Sequence, residues 1–251
     1  MVFNLFWLDF ETIFITLTFE SLFYASLANS EEESVLHKSP AEIKAALEKH
    51  RIIPDLLDTA PPNAVQVEWS EGLYANFGNV IDDLGGIRDE PFWIDWPGDN
   101  MEDRYCLFML GLDEPSQSNH SLREWKNWIV VNIEGYNTTV VAGEHLAEYV
   151  RPYPIIGTGL HRYVFLVYKQ KYRRYKLFRE FQLPPKRIDE KRGKFSVKKF
   201  AKKYNLDGPI AVNFFICEGK FRLTTTTTTT RRPRIIDPNL PTYTDTGNLI
   251  W

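Results

Sequence analysis

The chain has 251 residues, 43% of them hydrophobic, and its 30 Lys and Arg against 33 Asp and Glu leave a formal net charge of −3. That length suits one domain with tails and is enough to bury a sizeable core. The cysteines are Cys106 and Cys217, each inside an apolar run; two cannot build a disulfide framework or a cysteine metal cluster, and they read as small buried hydrophobes.

Charge is unevenly spread. Between Lys171 and Lys203 fourteen Lys and Arg face three acids, which leaves the rest of the chain at −14. A basic sector on an acidic protein fits either a docking face for an acidic surface or a solvated lysine-rich loop and helix.

In chain order, residues 1–28 are mostly apolar and end in Ser26-Leu27-Ala28, a small-x-small cleavage pattern. No Lys or Arg precedes the apolar stretch, and Asp9, Glu11 and Glu20 interrupt it, so a secretory leader has a mis-assigned start as its rival. The protein would be secreted if residues 1–28 act as a leader and cytoplasmic otherwise, and no transmembrane anchor is expected. Two acceptor sequons, at Asn119 and Asn137, suit the secreted alternative.

Ser39-Pro40-Ala41-Glu42 predicts a helix start, with Ser39 at the N-cap, Pro40 at N1 and Glu42 closing a capping box. Ile43, Ala46, Leu47 and His50 continue at helical spacing, and Pro54 is expected to end the helix. Strands are predicted at 65–69, 91–96, 105–112, 128–133, 163–168 and 211–217, short β-branched or aromatic runs bounded by turn residues. Continuous apolar runs of this length suit strands buried on both faces. A second helix is expected over 196–204, with Val197, Phe200, Ala201 and Tyr204 on one face, stopped by residues 205–209. Beyond Leu223 come seven threonines and a Pro-rich end, which cannot pack a core. The expected division is a leader or disordered segment at 1–33, a domain at 34–222 and a disordered tail at 223–251. The fold class is mostly β, two packed antiparallel sheets with a few short peripheral helices.

The run Gly157-Thr-Gly-Leu-His161-Arg-Tyr163 sets a histidine and a tyrosine two apart at the foot of an apolar strand, so both project from one face. Five segments, in order, carry a resemblance: Arg51 to Asp58, Leu112-Asp-Glu-Pro-Ser116, Arg123-Glu-Trp125 with Ile129-Val-Val-Asn132, Gly157 to Tyr168, and Phe200 to Leu206 with Asn213-Phe-Phe215. Together they resemble the phosphatidylethanolamine-binding proteins, a family that includes the Raf kinase inhibitor proteins and the plant flowering regulators.

The resemblance implies a pocket for phosphate-like anions and phospholipid head groups, lined by Asp113, Pro115, Trp125, Asn127, His161 and Tyr163, with a cis bond before Pro115. In that reading His161 and Tyr163 donate to an oxyanion, Trp125 gives an apolar wall, and Asp113 orients His161 or accepts from an amine. Arg162 is expected to pair with an acid. The chain departs from the family pattern in three places. Gly111 and Leu112 replace the first Asp and Pro of the family's loop, Lys126 and Asn127 occupy the stretch where the family has a histidine, and Glu114 adds a negative charge that opposes an anion if it points inward.

The function expected is non-enzymatic binding of a phosphorylated small molecule or phospholipid head group, with a protein kinase or protease as partner, in a monomer. A serine protease inhibitor and a scaffold with a degenerate pocket are the alternatives. An acid–base hydrolase built on His161 and Asp113 lacks a partnered nucleophile. No catalytic residue, metal or cofactor is assigned, and no aromatic–glycine RNA-reading motif accompanies the lysines.

Overall fold

A computed structural model describes residues 38–219, apart from 70–71, 83, 99, 136–139 and 187–189, together with 242–243 and 249–250. The proposed leader and the threonine tract lie outside the described residues. The chain divides into two compact units, residues 1–220 and 221–251.

The capping box starts the first helix. Glu42 donates its backbone N–H to the Ser39 hydroxyl at 3.3 Å, while the Ser39 N–H donates to the Glu42 carboxylate at 2.8 Å. Helix α1 (Pro40–Lys49) buries Ile43 and Leu47. It ends at His50, short of the expected break at Pro54, because Arg51 takes a left-handed φ of 56°. A separate turn, α2 (Ile52–Asp55), then carries Pro54.

The strands of the first unit are β1 (Asn63–Ala64), β2 (Gln66–Trp69), β3 (Leu73–Tyr74), β4 (Trp93–Asp95), β5 (Arg104–Gly111), β6 (Trp125–Glu134), β7 (Glu144–Ala147), β8 (Leu160–Gln170) and β9 (Leu206–Glu218). Six form one sheet in the order β1-β9-β8-β5-β6-β7, and three form a second in the order β3-β2-β4. All pairings are antiparallel except β1 with β9.

Side-chain alternation on the larger sheet sorts the core into two layers. Cys106, Phe108 and Leu110 pack with Ile43, Leu47 and Phe200 from the helices. Tyr105, Leu107 and Met109 pack with Val67, Trp69 and Ile94 from the smaller sheet. From Tyr105 onward strand β5 is apolar at every step, because both of its faces are covered. Trp69 crosses between the sheets, 5.9 Å from the Phe165 ring and 5.3 Å from that of Phe215.

Helix α3 (Val197–Tyr204) starts at Ser196, whose hydroxyl accepts from the Lys199 N–H, and buries Val197 and Phe200. Asn205 stops it in the left-handed conformation. Strand β9 begins directly afterwards at Leu206, earlier than the run at 211 suggests, because β8 extends far enough for Gln170 to pair with Leu206. In the second unit β10 (Thr242–Tyr243) pairs antiparallel with β11 (Leu249–Ile250).

Candidate ligand-binding site

The site forms where β5 ends, β6 begins and β8 begins. Gly157 and Gly159 have φ of +82° and +83°, and a Cβ on either would meet nothing within 4 Å. They are glycines for their backbone conformation, which delivers the chain into β8. His161 and Tyr163 then follow on one face, 1% and 0% exposed.

Hydrogen bonding fixes the His161 ring. The Thr158 hydroxyl donates its one proton to the Ile155 carbonyl at 2.6 Å, so it accepts from His161 Nε2 at 2.7 Å. His161 Nδ1 is left buried without a hydrogen-bond partner. It lies 3.6 Å from Oε1 of Glu114, and the Tyr163 hydroxyl donates to that same oxygen at 3.0 Å. Burial, and then the charge of Glu114, hold the Tyr163 phenol protonated well above its ordinary range.

Glu114 thus points inward, with its carboxylate against the Tyr163 hydroxyl and beside the His161 ring. Asn127 adds to the same polarity. Its Nδ2 donates to the Val150 carbonyl at 2.9 Å, which fixes the amide and leaves Oδ1 buried without a partner. The base of the site presents a carboxylate, an amide oxygen and an imidazole nitrogen, while the donors of Tyr163, Asn127 and His161 are already in use.

Asp113 does not orient His161. Its carboxylate accepts from Arg162 instead, from the backbone N–H at 2.9 Å, from Nε at 2.8 Å and from Nη2 at 2.6 Å. The reason is strand alternation: Arg162 leaves β8 on the face opposite His161 and Tyr163, and Asp113 follows it there. The acid–base pair His161–Asp113 is therefore not formed. Arg162 pairs with acids, as the sequence suggested, and Asp55 at 3.1 Å is the second.

A pocket of about 170 Å³ opens above this base, lined by Glu114, Pro115, Trp125 and Asn127 together with Arg151 and Tyr153. His161 and Tyr163 are not among its lining residues: both are buried and face Glu114, which stands between them and the opening. The bond before Pro115 is cis, as the resemblance implied. Sequence reasoning missed Arg151 and Tyr153, whose signal was Arg151-Pro-Tyr-Pro154, separated from Gly157 by two residues. Arg151 donates to the Leu84 carbonyl at 3.3 Å and stands 5.6 Å from the Tyr153 ring, which brings a cation to the rim. Away from the pocket, ligand atoms of Glu90, His145 and Glu148 lie within 4.8 Å of one another and could hold a metal ion, a grouping the sequence did not disclose. Burial raises the Glu90 pKa there.

The two-layer β architecture, with a small polar pocket at its strand ends, defines a β-sandwich protein. The sequence profile for phosphatidylethanolamine-binding protein matches residues 76–215, more than half of the chain. The chain belongs to the phosphatidylethanolamine-binding protein family. Among curated relatives, "Putative odorant-binding protein A5" of Drosophila melanogaster is 29% identical over 174 residues, covering 69% of this chain and 79% of that protein. Among solved structures, the carboxypeptidase Y inhibitor complexed with its cognate proteinase aligns with a TM-score of 0.60 at 25% identity, over 72% of this chain and 97% of the inhibitor. The phosphatidylethanolamine-binding protein of Plasmodium vivax shares the fold, with a TM-score of 0.56 at 24% identity over 70% and 97% of the two chains.

Proposed function

We propose that this protein binds a small phosphorylated amine of the phosphorylethanolamine type, free or as a lipid head group, without catalysing its conversion. The ammonium end enters first. One observation carries the reading: Glu114 already accepts from Tyr163 and faces His161, so a phosphate would have to displace a carboxylate, whereas an ammonium group pairs with it. Arg151 at the rim is the cation for the phosphate. A volume of about 170 Å³ suits a head group, with any acyl chains outside.

Membership of a family with this name supports the reading, as does a curated relative whose name also denotes a binding protein. Titration with phosphorylethanolamine, followed at the His161 and Tyr163 ring resonances, tests it. The reading expects a saturable shift at those rings and a weaker one with inorganic phosphate. Silence at millimolar phosphorylethanolamine overturns it.

A second reading, protease inhibition, is favoured by the likeness to an inhibitor crystallised with its proteinase, 97% of which aligns here. Inhibition of carboxypeptidase Y by the full chain is its test. Regulation of a kinase partner rests on the family resemblance, and a kinase assay with and without phosphorylethanolamine addresses it.

A further inference from the structure

We infer that the larger cavity, beside the Asp113–Arg162 pair, is a second binding site, for a phosphate-type oxyanion carried by a soluble phosphate ester or by a lipid. It is separate from the pocket above: Asp113 lines this cavity, while its neighbour Glu114 lines the other.

The cavity measures about 590 Å³. Its charged lining comprises Lys49, Arg51, Arg123 and Arg162 against Asp55 and Asp113, four cations to two carboxylates. On a protein whose net charge is −3, an excess of two positive charges in one concavity focuses potential on an anion. The two carboxylates are already engaged. Asp113 is closed by Arg162, and Asp55 is shared among Arg162 at 3.1 Å, Arg123 at 3.2 Å and Arg51 at 3.9 Å. Among the described residues Lys49 makes no ion pair.

A second observation concerns how Arg51 is held. It adopts φ 56°, a left-handed conformation that glycine or asparagine takes at lower cost. Nη1 of the buried Arg162 fixes it there, donating to the carbonyls of His50 at 2.9 Å and Arg51 at 3.2 Å. The buried guanidinium thus uses its own donors on carboxylates and backbone and leaves the Arg51 side chain, 77% exposed, at the mouth. Strained residues held by their surroundings concentrate at binding sites. Gln117 and His120 line the same mouth as hydrogen-bonding groups. Three exposed or partly exposed cations, Lys49, Arg51 and Arg123, around a roomy opening match the several oxygens of a phosphate better than a single carboxylate.

The test uses the full chain and inorganic pyrophosphate as probe. Binding should perturb the His50 and His120 ring resonances, and the double variant Lys49→Gln/Arg51→Asn should bind at least about tenfold more weakly, with asparagine tolerating the left-handed position. Glu114→Gln should leave pyrophosphate binding at these two histidines unchanged, which separates this site from the proposed head-group pocket. Vesicles of phosphatidylcholine with phosphatidic acid decide the carrier: retention that the double variant loses assigns a lipid phosphate, and pyrophosphate binding without retention assigns a soluble ester. Unaltered affinity in the double variant, shifts confined to His161 and Tyr163, or no binding of either probe overturns the inference.

Discussion

Arg162 and Asp113 form a bidentate ion pair, Nε to Oδ2 at 2.8 Å and Nη2 to Oδ1 at 2.6 Å, with the carboxylate 1% exposed. The pair ties the end of β5 to the start of β8 and holds Asp113 away from His161. Removing one member leaves the other charge buried and unpaired. Asp113→Ala should therefore lower stability by about 3–5 kcal/mol in urea unfolding. The pair of apolar replacements Asp113→Leu/Arg162→Met should recover much of that loss.

The acid sensitivity of the fold follows from the same cluster. Burial works against ionisation of Asp55, but hydrogen bonds and charge from Arg162, then the charges of Arg123 and Arg51, hold its pKa below the ordinary value. A lowered folded-state pKa gives stability that is complete above the unfolded value of about 3.9 and is lost as pH falls through the folded one. Asp55→Asn should remove that part of the acid dependence, measured as the unfolding midpoint against pH between about 2 and 5.

Much of the fold was legible in the sequence, since its signals are local and repetitive. Ser39 and Glu42 sit three apart, and the runs at 105–112 and 163–168 have the length and branching of strands covered on both faces. Other features depend on partners distant in sequence. Residues 205–209 read as a stop, yet β9 starts at Leu206 because Gln170 lies opposite. The site was legible as a set of residues and not as a geometry. Pro115, Trp125 and Asn127 line the pocket, but Asp113 was given to His161, and strand alternation gives it to Arg162. The inward turn of Glu114 is fixed by the Tyr163 hydroxyl, 49 positions away.

That contact can be weighed directly. Tyr163→Phe removes the donor to Glu114 and should cost about 1.5–3 kcal/mol of stability, the range for a hydrogen bond to a charged group. Urea unfolding at neutral pH checks it. Glu114→Gln/Tyr163→Phe should cost less than the sum of the single changes, because the two residues share one interaction.

Gly111 stands in a tight space at the base of the site. A Cβ there would stand 3.2 Å from Asn127 Oδ1, 3.3 Å from Tyr163 Cε1 and 3.4 Å from Glu114 Cγ. Gly111→Asp brings a second carboxylate against Glu114 in that tight space, and overpacking alone costs about 1–3 kcal/mol. The variant should be less stable in thermal unfolding and should bind inorganic phosphate no better than the parent. Gly111→Ala separates the steric part from the electrostatic part.

The central claim is that Glu114 makes the pocket select an amine rather than a bare anion. Calorimetric titration of the parent and of Glu114→Gln, each with phosphorylethanolamine and with inorganic phosphate, tests it most directly. The account predicts that the parent prefers phosphorylethanolamine, and that the substitution weakens this ligand about tenfold while phosphate binding holds or improves. Equal affinities for phosphorylethanolamine in the two proteins would contradict it.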